Sequence, residues 1–268
     1  MVKGIRFLII AAAALSMLLA FGSTASAQAP KGEPIAIGYI GFTLSPGTRP
    51  CMDIQRIAVE EINQAGGVLG RPLRYVTADN KGQTSLTVEG ARHLLQNEKA
   101  LFISVEGRTE ICLAAQENSA AMFKEYPHIL VFNGPMGMEL TDRVVEDYDR
   151  YRFSFRDWDP EPAHYAQNRY FWGNTWKRQV PGKESMRVAF LWEDLAWTEH
   201  WQKGIPELDL PSWESFMKEL GHEVVFSQAV APRGTMYLPV LQQIARSRAD
   251  RIFYVSSWFT DTESFVKQ

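Results

Sequence analysis

The stretch RIAVEEINQAGGVLGRPLRYVTADN, Arg56 to Asn80, decides the fold. Ile57 to Gln64 has the apolar spacing of an amphipathic helix. Gly66-Gly67 stops it, because glycine takes a left-handed backbone without the steric cost a Cβ brings. A short loop, Val68 to Pro72, leads into a strand-like run, Leu73 to Ala78, that ends at Asp79. An earlier apolar run, Ile35 to Ile40, precedes the helix. Strand, helix, strand in that order builds a parallel sheet covered on both faces.

The pattern continues outward. The first helix extends back to Arg49, with Pro50 suited to its first turn. Thr84 opens a second helix through Asn97, with Leu86, Ala91, Leu94 and Leu95 near helical spacing. Ala100 to Val105 and Ile129 to Asn133 read as strands, with a helix from Ile111 to Phe123 between them. Arg152 to Phe155 is strand-like, Asp157 to Pro162 is rich in turn formers, and a helix from Ala163 to about Trp176 follows. A second series repeats the plan. Strands are expected at Arg187 to Trp192, Glu223 to Phe226 and Arg251 to Val255. Helical segments are expected at Thr198 to Gly221, broken by Pro206 and Pro211, and at Met236 to Arg248. Thr260 to Gln268 begins one more helix. The expected class is α/β, with two doubly wound parallel-sheet domains around a ligand cleft. Residues 28–155 form the first lobe, 156–186 a hinge and 187–268 the second lobe.

Residues 1–27 read as a leader. Lys3 and Arg6 precede an apolar run, Phe7 to Phe21, and Ala25-Ser26-Ala27 offers a small-x-small cleavage site. An uncleaved anchor is the alternative, but the run is short for a membrane span. Cleavage is expected after Ala27. No cysteine stands there to carry a lipid, so a soluble, exported protein is expected. The chain has 28 Lys and Arg against 31 Asp and Glu, net −3, and losing Lys3 and Arg6 makes it more acidic. No basic cluster points to nucleic acid or an anionic membrane.

Several chemistries lack their signatures. No G-x-G-x-x-G follows the first strand and no G-x-S-x-G elbow occurs. His93, His128, His164, His200 and His222 show no metal-ligand spacing. The two cysteines cannot build a Cys-rich zinc site and lack C-x-x-C spacing. Asp157 and Asp159 read as turn formers. No catalytic residue, cofactor or metal is expected.

The segment EEINQAGGVLGRPLRYVTADN resembles the first α–β junction of periplasmic solute-binding proteins of the Leu/Ile/Val type, the receptor subunits of ABC importers. The resemblance covers nearly all of residues 34–268. It is fairly specific over Arg56 to Asn80 and pattern-level elsewhere. It implies a type I periplasmic-binding fold, capture of a small solute by hinge closure, and delivery to an ABC permease by a monomeric receptor. The implied solute is a branched-chain or related amino acid, or an aromatic or other small carboxylate. A sensory or accessory binding module without a permease is the alternative; an exported enzyme is a third reading. Members of that family are usually longer. The chain is expected to be truncated at its C-terminus, with the second lobe incomplete.

In doubly wound sheets, ligands bind beyond the carboxyl ends of the strands. That rule nominates Gly41 to Thr48, Glu106 to Thr109, Asn133 to Met136, Glu193 to Thr198 and Ser256 to Phe259. The resemblance implies a first lobe that holds a carboxylate with N–H groups and hydroxyls, and a second that closes with aromatic side chains. The expected ligand-binding set is Gly47, Thr48, Glu106, Gly107, Arg108, Thr109, Asn133, Gly134, Trp197, Ser257 and Trp258. Gly107 and Thr109 fit the family pattern, whereas Glu106 and Arg108 depart from it. Pro135 has no N–H to offer. Arg108 is either a two-pronged carboxylate partner or a solvated side chain. Glu106 and Glu110 either receive a cation or are solvated. Trp197 and Trp258 either stack on a flat or bulky ligand or pack ordinarily. Cys51 and Cys112 open helices after neighbouring strands. A disulfide between them is the expectation, closing a loop of about 60 residues worth about 4 kcal/mol; two free thiols is the alternative.

Overall fold

A computed structural model describes residues 30–268 apart from 46, 180, 181, 183, 233, 235, 258 and 259. The expected leader and Trp258 therefore lie outside the described residues. The chain divides into two compact units. Ile35 and the described residues before it join Arg56–Arg74 in one; Ala36–Gln55 and Tyr75–Gln268 form the other.

The smaller unit holds the end of helix α1 (Thr48–Gln64) and its exit. Gly66 and Gly67 have φ of 103° and 76°, and their N–H groups bond back to Asn63 and Ile62. A Cβ on Gly67 would stand 2.1 Å from the Arg71 carbonyl oxygen, so only glycine fits there. Val68 and Arg71 exchange both backbone hydrogen bonds across a tight turn. Asn63 then clamps the next strand: its Oδ1 accepts from Leu73 N at 2.7 Å and its Nδ2 donates to Leu73 O at 2.8 Å. The quoted motif thus contains both the helix stop and the device that starts the strand.

The larger unit is built on two sheets. The first has five strands: β1 (Ile35–Gly41), β2 (Leu73–Asp79), β3 (Phe102–Glu106), β4 (Ile129–Asn133) and β5 (Ser154–Arg156). Their order is β2-β1-β3-β4-β5. β3 pairs with β1, and β4 with β3 and β5, all parallel. Helices α2 (Thr84–Gln96) and α3 (Thr109–Met122) lie between successive strands in the chain. Leu94, Leu95, Ile103, Cys112, Leu130 and Phe132 share one core. Each fully buried Leu, Ile or Phe contributes about 1.5–3 kcal/mol.

The second sheet has three parallel strands, β6 (Arg187–Glu193), β7 (Glu223–Val230) and β8 (Arg251–Val255), in the order β7-β6-β8. β6 is buried along nearly its whole length and separates two cores. Phe190 and Trp192 pack toward Trp201, Trp213 and Phe216 on one face; Ala189 and Leu191 pack toward Val240 and Ile244 on the other. That two-sided burial is what a continuous apolar strand in a parallel sheet requires. Among the described residues no helix is long and apolar enough to cross a membrane.

Several expectations change. Helices α4 (Glu139–Glu146) and α5 (Tyr148–Tyr151) follow β4, in a stretch for which no element is expected above; Leu140 and Tyr151 are the buried residues the two helices supply. Helix α6 (Glu161–Gln179) starts two residues earlier than expected, at the acidic residue of its first turn. The expected Thr198–Gly221 helix is short pieces. A 3-10 turn at Ala196–Thr198 runs into α7 (Glu199–Lys203); another at Pro206–Leu208 precedes α8 (Trp213–Glu219). Gly204 stops α7 with φ of 85°, and a Cβ there would meet the Leu210 carbonyl oxygen at 2.5 Å. β7 runs four residues past Phe226, because pairing with β6 continues through polar Ser227 and Gln228. Helices α9 (Leu238–Arg246) and α10 (Thr262–Lys267) complete the described elements.

Candidate functional site

The larger unit contains a cavity of ≈ 210 Å³ at the carboxyl ends of its strands. Glu106, Gly107, Arg108 and Thr109 reach it from the end of β3 and the start of α3. Asn133, Gly134, Pro135 and Met136 reach it from the loop after β4. Trp158 follows β5, His164 lies on α6, Trp197 follows β6, Trp201 lies on α7, and Ser256 and Ser257 follow β8. Eight of the eleven expected ligand residues are thus brought together. Gly47 and Thr48 do not line the cavity, and Trp258 is outside the described residues. Trp158, His164 and Trp201 were not expected. They come from the connection between the sheets and from helices, where the strand-end rule gives no signal.

The β3 end carries the charge. Glu106 is only 2 % exposed. Its Oε2 accepts from the Tyr39 hydroxyl, and its Oε1 has no hydrogen bond among the described residues. Burial raises its pKa above the usual carboxylate range; the Tyr39 hydrogen bond and the nearby Thr48 and Cys51 side chains oppose the rise, and the Asp157 charge adds to it. Thr48 therefore stands behind the cavity wall, beside Glu106. Burial and the bond to Glu106 push the Tyr39 hydroxyl upward, so it stays a donor.

Arg108 occupies the N-cap of α3 in an extended conformation, and its side chain makes no capping hydrogen bond. The uncapped N–H groups and the helix dipole favour an anion. The Arg108 guanidinium lies 2.9 Å from Glu110 Oε1 and is mostly shielded from solvent. Thr109 Oγ1 accepts from Gly137 N at 3.1 Å, which ties the start of α3 to the β4 loop.

A polar chain holds the β4 end. Gln55 Nε2 donates to Ser104 Oγ at 3.1 Å, and Ser104 contacts the Asn133 amide. Assigned with its nitrogen toward Asp157, at 2.5 and 3.0 Å, Asn133 accepts from Ser104 and satisfies both ends. Asn133 is thereby committed to fixing Asp157, whose carboxyl burial pushes upward.

The opposite wall is aromatic. Trp201 stacks on Trp213 with centroids 5.1 Å apart and planes 14° off parallel. His164 lies 5.7 Å from Trp201, and burial holds its pKa down, favouring neutral imidazole. Trp158 and Trp197 add indole surface. Such a lining suits an apolar or flat body with a few polar attachment points.

The expected disulfide is not formed: Cys51 and Cys112 are both free thiols. Each turns back to the loop before its own helix, Cys51 Sγ to Gly47 O at 3.9 Å and Cys112 Sγ to Gly107 O at 3.7 Å. Among the described residues no group of three or more His, Cys, Asp or Glu could hold a metal ion.

Comparison with known proteins places this geometry in context. Residues 35–268 match the model of the family described as periplasmic binding protein. The Leu/Ile/Val-binding protein homolog 7 of Brucella suis biovar 1 is 27 % identical over 216 residues, 79 % of this chain and 48 % of that protein. The chain spans about half the length of the curated relatives it matches. Among solved structures, the branched-chain amino acid transporter substrate-binding protein of Streptococcus pneumoniae, in complex with isoleucine, superposes with a TM-score of 0.62 at 17 % identity. It covers 83 % of this chain and 57 % of the other. A solute-binding protein of an ABC transporter from R. palustris, in complex with 4-hydroxybenzoate, gives 0.58 at 19 % identity, over 88 % and 57 % of the two chains. Parallel α/β sheets, a cavity at their strand ends and a family match over residues 35–268 agree: the chain belongs to the periplasmic binding protein family.

Proposed function

We propose that this chain captures a small solute in the periplasm and presents it to an ABC-type permease at the inner membrane, acting as a monomer and catalysing no reaction. The observation that carries the reading is the cavity itself, which loops from both sheets line: Arg108 and Thr109 from the first, Trp197 and Ser257 from the second. A solute touching both groups favours the closed arrangement by its differential affinity for it. In this reading residues 28–155 and 187–268 are the lobes, with 156–186 between them, and residues 1–27 are removed on export.

The solute is a branched-chain or related amino acid, or an aromatic or other small carboxylate. The uncapped start of α3 and Arg108 suit a carboxylate; Trp158, Trp197 and Trp201 suit its body. Isoleucine and 4-hydroxybenzoate in the related structures lie within that range. A thermal-shift screen of the leader-free chain against amino acids, aromatic acids, short carboxylates, amides and polyamines tests it. A ligand that binds the native state raises the melting temperature by mass action. Stabilisation confined to one chemical class supports capture; a well-folded sample that responds to none refutes it.

A further inference from the structure

Glu106 is a costly residue for a wall that only needs to hold a carboxylate. It is 2 % exposed, it lines the cavity, and one of its oxygens has no hydrogen bond among the described residues. The Tyr39 hydroxyl serves Oε2. The Thr48 and Cys51 side chains also stand beside Glu106, but among the described residues Thr48 Oγ1 makes no hydrogen bond and Cys51 Sγ is turned to Gly47 O. A buried acceptor left unmade is expensive and calls for an explanation. Arg108 does not supply the missing partner, since its guanidinium sits against Glu110. Asp157, the neighbouring acid, is held by Asn133 and adds negative charge.

We propose that Glu106 is the receptor for a hydrogen-bond-donating nitrogen on the solute, so that the site takes amine-, amide- or amidine-bearing molecules with an apolar or aromatic body in preference to bare carboxylates. The proposal rests on the cavity being the solute site and narrows its class. An ionised Glu106 accepts an N–H through Oε1, whereas a bare carboxylate offers it no proton and repels its charge. A charged nitrogen gains further from the surrounding indoles, because cations are attracted to the faces of Trp rings. A carbonyl or carboxylate carried beside the nitrogen remains free to use Arg108, the adjacent residue but one. Glu106 and Asn133 stand opposite each other in the β3–β4 register, so the nitrogen is placed at the carboxyl end of the first sheet.

Three isosteric probes separate this from the broader reading: benzoate, benzamide and benzamidine, titrated calorimetrically into the leader-free chain. They share one body and differ only in the head group. Benzamide and benzamidine should each bind at least tenfold tighter than benzoate. In Glu106→Gln the benzamidine-to-benzoate preference should fall to threefold or less, with a melting curve confirming that the variant is folded. The wild-type ranking decides the matter even if that variant does not fold. Benzoate binding as tightly as the nitrogen probes, or a preference unchanged in folded Glu106→Gln, overturns the role of Glu106 and leaves solute capture standing. Binding of none of the three overturns the cavity as a solute site, and this proposal with it.

Discussion

Glu193 Oε2 accepts the backbone N–H of Ser257 at 2.5 Å, while its Oε1 accepts the Thr260 hydroxyl at 2.8 Å. Glu193 is fully buried at the end of β6, and Ser257 lines the cavity in the loop after β8. One carboxylate therefore fixes the loop that forms one wall of the site. Charge-assisted bonds to buried backbone are among the stronger ones.

Glu193→Ala should break this clamp. The Ser257 N–H and the Thr260 hydroxyl both lose the carboxylate that accepts from them, and the loop is released. A destabilisation of about 1–3 kcal/mol is expected. Urea denaturation should show a lower midpoint with an unchanged slope, and any ligand found in the thermal screen should bind more weakly. An unchanged midpoint would show that Glu193 does not hold the loop.

Arg108 sits at an uncapped helix start, 2.9 Å from Glu110. Arg108→Ala removes the one permanent cation among the described residues that line the cavity and should weaken binding of a carboxylate-bearing solute by more than tenfold. Arg108→Lys keeps the charge but not the planar fork, and should lie between. Calorimetric dissociation constants for the three proteins check this. Equal affinities in all three would assign Arg108 to the ion pair with Glu110 alone.

Most of the first sheet was legible because its strands are apolar runs punctuated by glycine and turn residues. β4, Ile129–Asn133, matches the expected strand residue for residue, as does β8, Arg251–Val255. The connection after β4 was not legible, since α4 and α5 bury few side chains and are held by local contacts such as the Asp147 cap on Arg150 N. The site followed the same division. Strand ends pointed to Glu106–Thr109 and Asn133–Gly134 through topology. Trp201 and His164 arrive from helices α7 and α6, and their sequence neighbourhoods look like ordinary packing. The cysteines misled because neighbouring helix starts satisfy topology without satisfying side-chain direction, and disulfide geometry is strict.

Trp197 and Trp201 both line the cavity but differ in what they support. Trp201 is buried and stacked on Trp213, and it also touches Tyr165, with centroids 5.9 Å apart. Trp201→Ala should cost about 3–5 kcal/mol, the usual range for an aromatic deleted from a core. Trp197 is partly buried at the edge of the same cluster. Trp197→Ala should cost less stability than Trp201→Ala and reduce affinity for an aromatic solute at least fivefold. Paired urea melts and titrations separate the two effects. A Trp197→Ala protein that loses stability as Trp201→Ala does, with affinity unaltered, would make Trp197 a core residue.

His128 supplies a pH dependence with a definite sign. Its Nδ1–H donates to Tyr126 O at 2.7 Å, its Nε2 is buried with no hydrogen bond among the described residues, and its ring packs against the stacked Phe123–Phe153 pair. Burial lowers its pKa, because the charged imidazolium would lose its hydration there. The folded state therefore resists a proton that the unfolded chain accepts near pH 6.5. Above that value both states hold neutral histidine and the group is silent. As pH falls below it, the unfolded state gains a proton that the native state does not, and stability declines until the folded pKa is passed. The slope attributable to His128 is at most about 1.4 kcal/mol per pH unit, the limit for one proton. His128→Phe keeps an aromatic ring against the Phe123–Phe153 pair and removes the titration. Denaturation midpoints for the wild type and the variant, taken at pH 8, 6.5 and 5, should diverge most at the acid end, with the variant showing the shallower loss. Parallel pH profiles would mean that His128 titrates alike in both states and that burial does not control it.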